Sequence, residues 1–136
     1  MVLLTAGMGC GGATPVTETA WHQKAPDQKL EHMKAVIFPA AKADFQQYDA
    51  TKYADFKCTT CHGAAAKERG FKMPNPDLPP LPTTPEGWGK LKADKPKALE
   101  FMHAWSVKMA GFQGEAPFDP ATGKGFGCME CHTMAK

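Results

Sequence analysis

Apolar residues recur at three- and four-residue intervals in two stretches of the chain. Leu30, Met33, Ile37, Ala41, Phe45 and Tyr48 line one face of a predicted helix over residues 27–48, with Asp27 placed to cap it after Pro26. Pro39 lies inside that stretch and predicts a kink or a split into two shorter pieces. Ala98, Met102, Trp105, Met109 and Phe112 mark a second helix, beginning after Pro96, reaching Ala110 and stopped at Gly111. Between them, residues 73–85 read Met-Pro-Asn-Pro-Asp-Leu-Pro-Pro-Leu-Pro-Thr-Thr-Pro, too rich in proline for helix or central strand and expected as a stiff, extended connector. The expected fold class is all-α.

The two helical stretches belong to an internal repeat. Residues 48–58 lie over residues 118–128 without a gap: Tyr48 matches Phe118, Asp49 matches Asp119, Phe56 matches Phe126 and Cys58 matches Cys128. One single-residue shift then places Leu30 and Met33 over Leu99 and Met102. The unit is a helix carrying Leu-Glu-x-Met, a turn, and a cysteine-bearing segment.

Each unit ends in the same chemistry. Cys58-Thr59-Thr60-Cys61-His62 and Cys128-Met129-Glu130-Cys131-His132 are two copies of Cys-x-x-Cys-His, the pattern that attaches a c-type haem. Cys58, Cys61, Cys128 and Cys131 are spaced to add across the two vinyl groups of one haem each, and His62 and His132 then reach the iron from the proximal side. Two Cys-x-x-Cys pairs could instead hold zinc or act as dithiols, but neither alternative uses the histidines. The chain has five histidines, and two of them directly follow a cysteine pair. The expected cofactors are therefore two haem c groups. The predicted organisation is a first haem unit at 26–72, the connector at 73–95 and a second haem unit at 96–136.

The sixth iron ligand decides what such sites can do. Met33 and Met102 are matched by the repeat, lie on the apolar faces, and precede their motifs by 25 and 26 residues, so they are the leading distal candidates. His32 and His103 sit about 100° away on the helices and are not repeat-equivalent. A histidine pair, Met73 on the connector, or an open site remain alternatives.

At 136 residues, with 43% hydrophobic but only 10% aromatic residues, the polypeptide alone has little to build a core from, so two covalent haems would be structural as well as functional. The formal charge of +2 omits haem propionates and gives no reason to expect a nucleic-acid partner. Lys90, Lys92, Lys95 and Lys97 form a solvated face, and a docking patch if the partner is acidic. The start, Met1 to Cys10, resembles the end of a bacterial lipoprotein signal, which implies lipidation of Cys10; residues 11–20 read as a flexible tether, giving a leader and tether at 1–25. No stretch approaches the roughly 20 apolar residues of a membrane span.

The ensemble of motifs resembles small dihaem c-type cytochromes. A methionine-bearing helix ahead of Cys-x-x-Cys-His is similar to the repeat of the cytochrome subunits bound to photosynthetic reaction centres, and the late second motif fed by an upstream helix resembles class II cytochromes c. The likeness spans residues 27–132; the chain departs from the first group in its two haems and longer spacers, and from the second in its additional motif. It implies a compact, non-enzymatic carrier that passes single electrons between redox proteins or into a larger membrane complex outside the cytoplasm, with no small-molecule substrate. A gas-binding or small peroxidase-type haem enzyme, and a subunit of a multihaem conducting assembly, are the competing classes.

Overall fold

The computed structural model describes residues 20–136. Among them the regular structure is helical, with isolated β-bridges and no sheet, so the chain is all-α. The first rod is built from α1 (Pro26–His32), a π-helical segment (Met33–Ile37) and α2 (Phe38–Tyr48) in direct succession. Pro26 occupies its first turn, and the Ala25 N–H donates to Gln28 Oε1 at 2.9 Å; Asp27 lies within that turn instead of capping it. Pro39 does not split the rod. The proline ring would crowd the carbonyl four residues back, and the wider turn ahead of it, in which the Phe38 N–H bonds to Met33 O, accommodates that demand without breaking the helix.

α3 (Cys58–His62) is one short turn carrying the first cysteine pair. The connector is irregular instead of extended, with a turn closed by the Leu78 N–H on Asn75 O at 3.3 Å, and it ends at Thr84. There the Thr84 hydroxyl accepts from the Gly87 N–H at 3.1 Å and Pro85 fills the first position of α4 (Pro85–Asp94), a helix the proline count had obscured. α5 (Pro96–Phe112) follows after Lys95 and continues through Gly111, contrary to the expected stop there. The stop is three residues later: Gly114, at φ +67°, donates to Gly111 O at 3.1 Å while the Glu115 N–H reaches Ala110 O at 2.9 Å. This pair of bonds is a Schellman closure, and its left-handed position favours glycine.

The first rod and α5 run antiparallel. Tyr48, at the end of one, stacks on Phe101 near the start of the other with ring centroids 4.3 Å apart, and His32 Nε2 hydrogen-bonds Phe112 O at 2.8 Å at the opposite end. Two buried clusters form along this seam. One gathers Ala41, Phe45 and Phe56, with Phe101, Met102, Trp105 and Cys61 packed around it; the other gathers Ile37, Met109, Ala110 and Phe126, with Met33, Trp105, Phe112 and Cys131 around it. Phe56 and Phe126, repeat partners two residues ahead of their cysteines, thus anchor one cluster each. Trp105 touches both.

Two glycines on or beside α5 should respond oppositely to alanine. Gly111→Ala adds a methyl that meets no atom within 4 Å in a helical position and is expected to stabilise by up to about 1 kcal/mol. Gly114→Ala forces a left-handed residue and is expected to cost about 1–2 kcal/mol. Thermal unfolding of the two variants beside the parent protein measures both signs.

Candidate functional site

The two Cys-x-x-Cys-His segments, 70 positions apart in sequence, meet through the connector. Asn75 is 1% exposed and lies between them. Its side-chain amide donates to Cys61 O at 2.9 Å, and its backbone N–H donates to Cys131 O at the same distance. Its side-chain oxygen accepts from the Asp77 N–H at 2.9 Å and from Arg69 Nη2 at 3.2 Å. Arg69 Nη2 also donates to His62 O. Gly63 follows His62 at φ +87°, and a Cβ there would stand 2.6 Å from Asn75 Oδ1 and 2.5 Å from Asp77 Oδ2. A side chain at position 63 would therefore open the network that joins the motifs.

The second motif is held from the other side by the same connector. Leu81 pairs with the tail in a parallel bridge: its N–H donates to Thr133 O at 2.7 Å, and the Ala135 N–H donates to Leu81 O at 2.8 Å. Two residues earlier, Pro79 O lies 2.8 Å from His132 Nδ1. A carbonyl can only accept, so Nδ1 carries the proton and Nε2 is left with a free lone pair. His62 differs. Its Nδ1 is buried without a well-formed hydrogen bond. Burial holds this imidazole below its ordinary pKa; the Phe71 backbone opposes the shift and the Arg69 guanidinium reinforces it. The Phe71 ring stands edge-on to His62, centroids 5.5 Å apart.

None of the four cysteines is in a disulfide, and only Cys58 is fully exposed. Burial pushes the Cys61 thiol up to about 12, with Cys131 and Cys58 adding to it. Burial likewise pushes Cys131 up to about 11, with Glu130 and Cys128 adding. A thiolate is disfavoured at both positions, whereas a thioether is neutral and apolar and fits such surroundings without a charge penalty. Among the described residues no three His, Cys, Asp or Glu side chains converge as an ion site. Phe71, Phe118 and Met134 near the motifs, and Met129 within the second, are 42–52% exposed.

The remaining candidates separate clearly. Met33 packs with the cluster that contains Cys131, and Met102 with the one that contains Cys61, so each methionine lies with the motif of the other half. His103 is exposed, and His32 is half-buried with Nε2 engaged by Phe112 O. Met73 is half-buried at the start of the connector. Lys90, Lys92, Lys95 and Lys97 are all exposed, with Lys90 paired to Asp94 at 2.5 Å. Cys10 lies outside the described residues, and among those described no helix is long and apolar enough to cross a membrane. Asn75, Arg69, Gly63 and Pro79 were not singled out from sequence, although Asn75 between two prolines and Arg69, the sole arginine, seven residues after His62, are visible there. No family model, curated protein or solved structure matches this chain.

Asn75→Ala leaves Cys61 O and the Asp77 N–H without their partner in a buried position. A loss of about 2–3 kcal/mol is expected in thermal or denaturant unfolding, well above that of an exposed substitution.

Proposed function

We propose that this chain is a dihaem c-type cytochrome that carries single electrons between redox partners outside the cytoplasm, tethered to a membrane through lipidated Cys10. The observation that carries the reading is the convergence of two Cys-x-x-Cys-His segments on Asn75, each backed by an apolar cluster that includes a methionine. Cys58 and Cys61 hold one haem with His62 as proximal ligand, and Cys128 and Cys131 hold the other with His132. Bound there, haem c supplies a one-electron ferric/ferrous couple. Pro79 O fixes the tautomer and ring plane of His132, leaving Nε2 as the metal-binding atom. The packing favours Met102 as distal ligand for the iron held by His62 and Met33 for that held by His132, a crossed arrangement. Met33 and Met102 are half-buried against these clusters, which limits the water that would compete with a weak thioether ligand.

Protein matured in a host competent for c-type haem attachment is expected to gain the mass of two haems under denaturing conditions. Its oxidised form is expected to show the near-infrared band of methionine-to-ferric ligation. Met33→Leu and Met102→Leu keep volume and apolarity, and each should remove about half of that band and admit carbon monoxide at one reduced site, the double variant at both. Retention of the band in the double variant, with loss in His32→Leu or His103→Leu, would establish histidine ligation instead.

Cys10→Ser is expected to abolish partitioning of the protein into detergent. Unchanged partitioning would assign residues 1–25 a tethering role without lipid.

A further inference from the structure

The repeat makes the two motifs alike in sequence, but the charges and hydrogen bonds around their histidines differ. Resting on the dihaem reading above, we infer that the site of Cys58, Cys61 and His62 holds the higher-potential iron, and that Arg69 is the residue chiefly responsible.

Three observations act in the same direction. Arg69 is the only arginine in the chain. Its guanidinium is fixed on His62 O and Asn75 Oδ1, its Nε is buried without a partner, and no carboxylate among the described residues lies within ion-pairing distance of it. Oxidation adds a positive charge at the iron, so a fixed cation against the backbone of its proximal ligand disfavours the ferric state. If the free Nε–H meets a haem propionate, neutralising that anion acts with the same sign. The nearby countercharge is weaker: Asp77 is exposed and its Oδ2 accepts from the Ala64 N–H at 3.2 Å. Asp55, exposed as well, is paired with Lys57 at 2.5 Å.

The second site has no fixed cation of this kind. Its nearest charge in sequence is Glu130, inside the motif directly before Cys131; it is exposed and so acts weakly, but with the opposite sign. Lys124 and Lys136, the closest cations in sequence, are both exposed.

The third observation is the proximal hydrogen bond. His132 Nδ1–H donates to Pro79 O at 2.8 Å, which makes the imidazole a more basic ligand and favours ferric iron. His62 Nδ1 has no bond of that geometry, only a poorly aligned approach to the Phe71 backbone. Electrons therefore collect at the first site. In the internal step one electron leaves the iron held by His132, which goes from ferrous to ferric, and reaches the iron held by His62, which goes from ferric to ferrous. No proton or third reactant takes part.

Spectroelectrochemical titration of the loaded, haem-counted protein tests this. Wild type should give two one-electron waves. Cys128→Ser with Cys131→Ser leaves only the first haem and should titrate near the upper wave; Cys58→Ser with Cys61→Ser should titrate near the lower. Arg69→Gln should bring the upper wave down toward the lower one without moving the lower, and Arg69→Lys, which keeps the charge, should restore much of the shift. Reversed order in the single-site proteins, an unmoved upper wave in Arg69→Gln, or an equal fall in Arg69→Lys would overturn the inference. The single-site proteins decide the order even if Arg69→Gln fails to fold. A wild-type haem content other than two would overturn the carrier reading and this inference with it, an outcome distinct from two haems in the reverse order.

Discussion

One buried amide joins the parts of this molecule that carry its chemistry. The Asn75 side chain bonds Cys61 O and its backbone bonds Cys131 O, both at 2.9 Å, and among the described residues no other hydrogen bond joins a residue of one motif through a single intermediary to the other. Burial makes the junction costly to break, because an unpaired carbonyl in a dry site loses its water as well as its partner. The flanking prolines restrict the backbone on either side, so the two donors of Asn75 are presented with little freedom to turn away. Arg69, Asp77 and Gly63 complete the network, and with them the separation of the two motifs becomes a property of the connector.

Much of the framework was legible in the sequence because it rests on periodicity. Ile37, Ala41 and Phe45 are buried on the first rod and Met109 on α5, as three- and four-residue spacing demands. Leu30 was expected on the same stripe and is 48% exposed. The π turn at Met33–Ile37 is the physical reason: an inserted residue rotates everything before it by about 100° relative to α2, so a stripe drawn at constant period drifts off the core. The α5 terminus was misread for a related reason. An exposed helical glycine and a left-handed glycine look alike in sequence, and only the bonds from Gly114 and Glu115 tell which one closes the helix.

The candidate site divides in the same manner. Cys-x-x-Cys-His is local, so the residues proposed for attachment and proximal ligation are visible in the sequence directly. The polar frame is assembled from residues dozens of positions apart: Asn75 against Cys131, and Pro79 against His132. No local pattern encodes such pairings. Proline there read as stiffness alone, whereas the structure uses Pro79 for its carbonyl, the one backbone polar group proline retains. The repeat leaves partnership open, and the structure packs helices of equal repeat position on the opposite motif's cluster because the two rods run antiparallel.

That exchange bears on how the molecule is put together. Phe45 and Phe56 are made early, but Phe101, Met102 and Trp105, which close their cluster, come from α5; Phe126, which closes the other, comes later still. A chain delivered N-terminus first can therefore shut neither core until its last third has emerged. On the proposed function, the first cysteine pair would stay in an open segment, accessible for haem attachment, until that point.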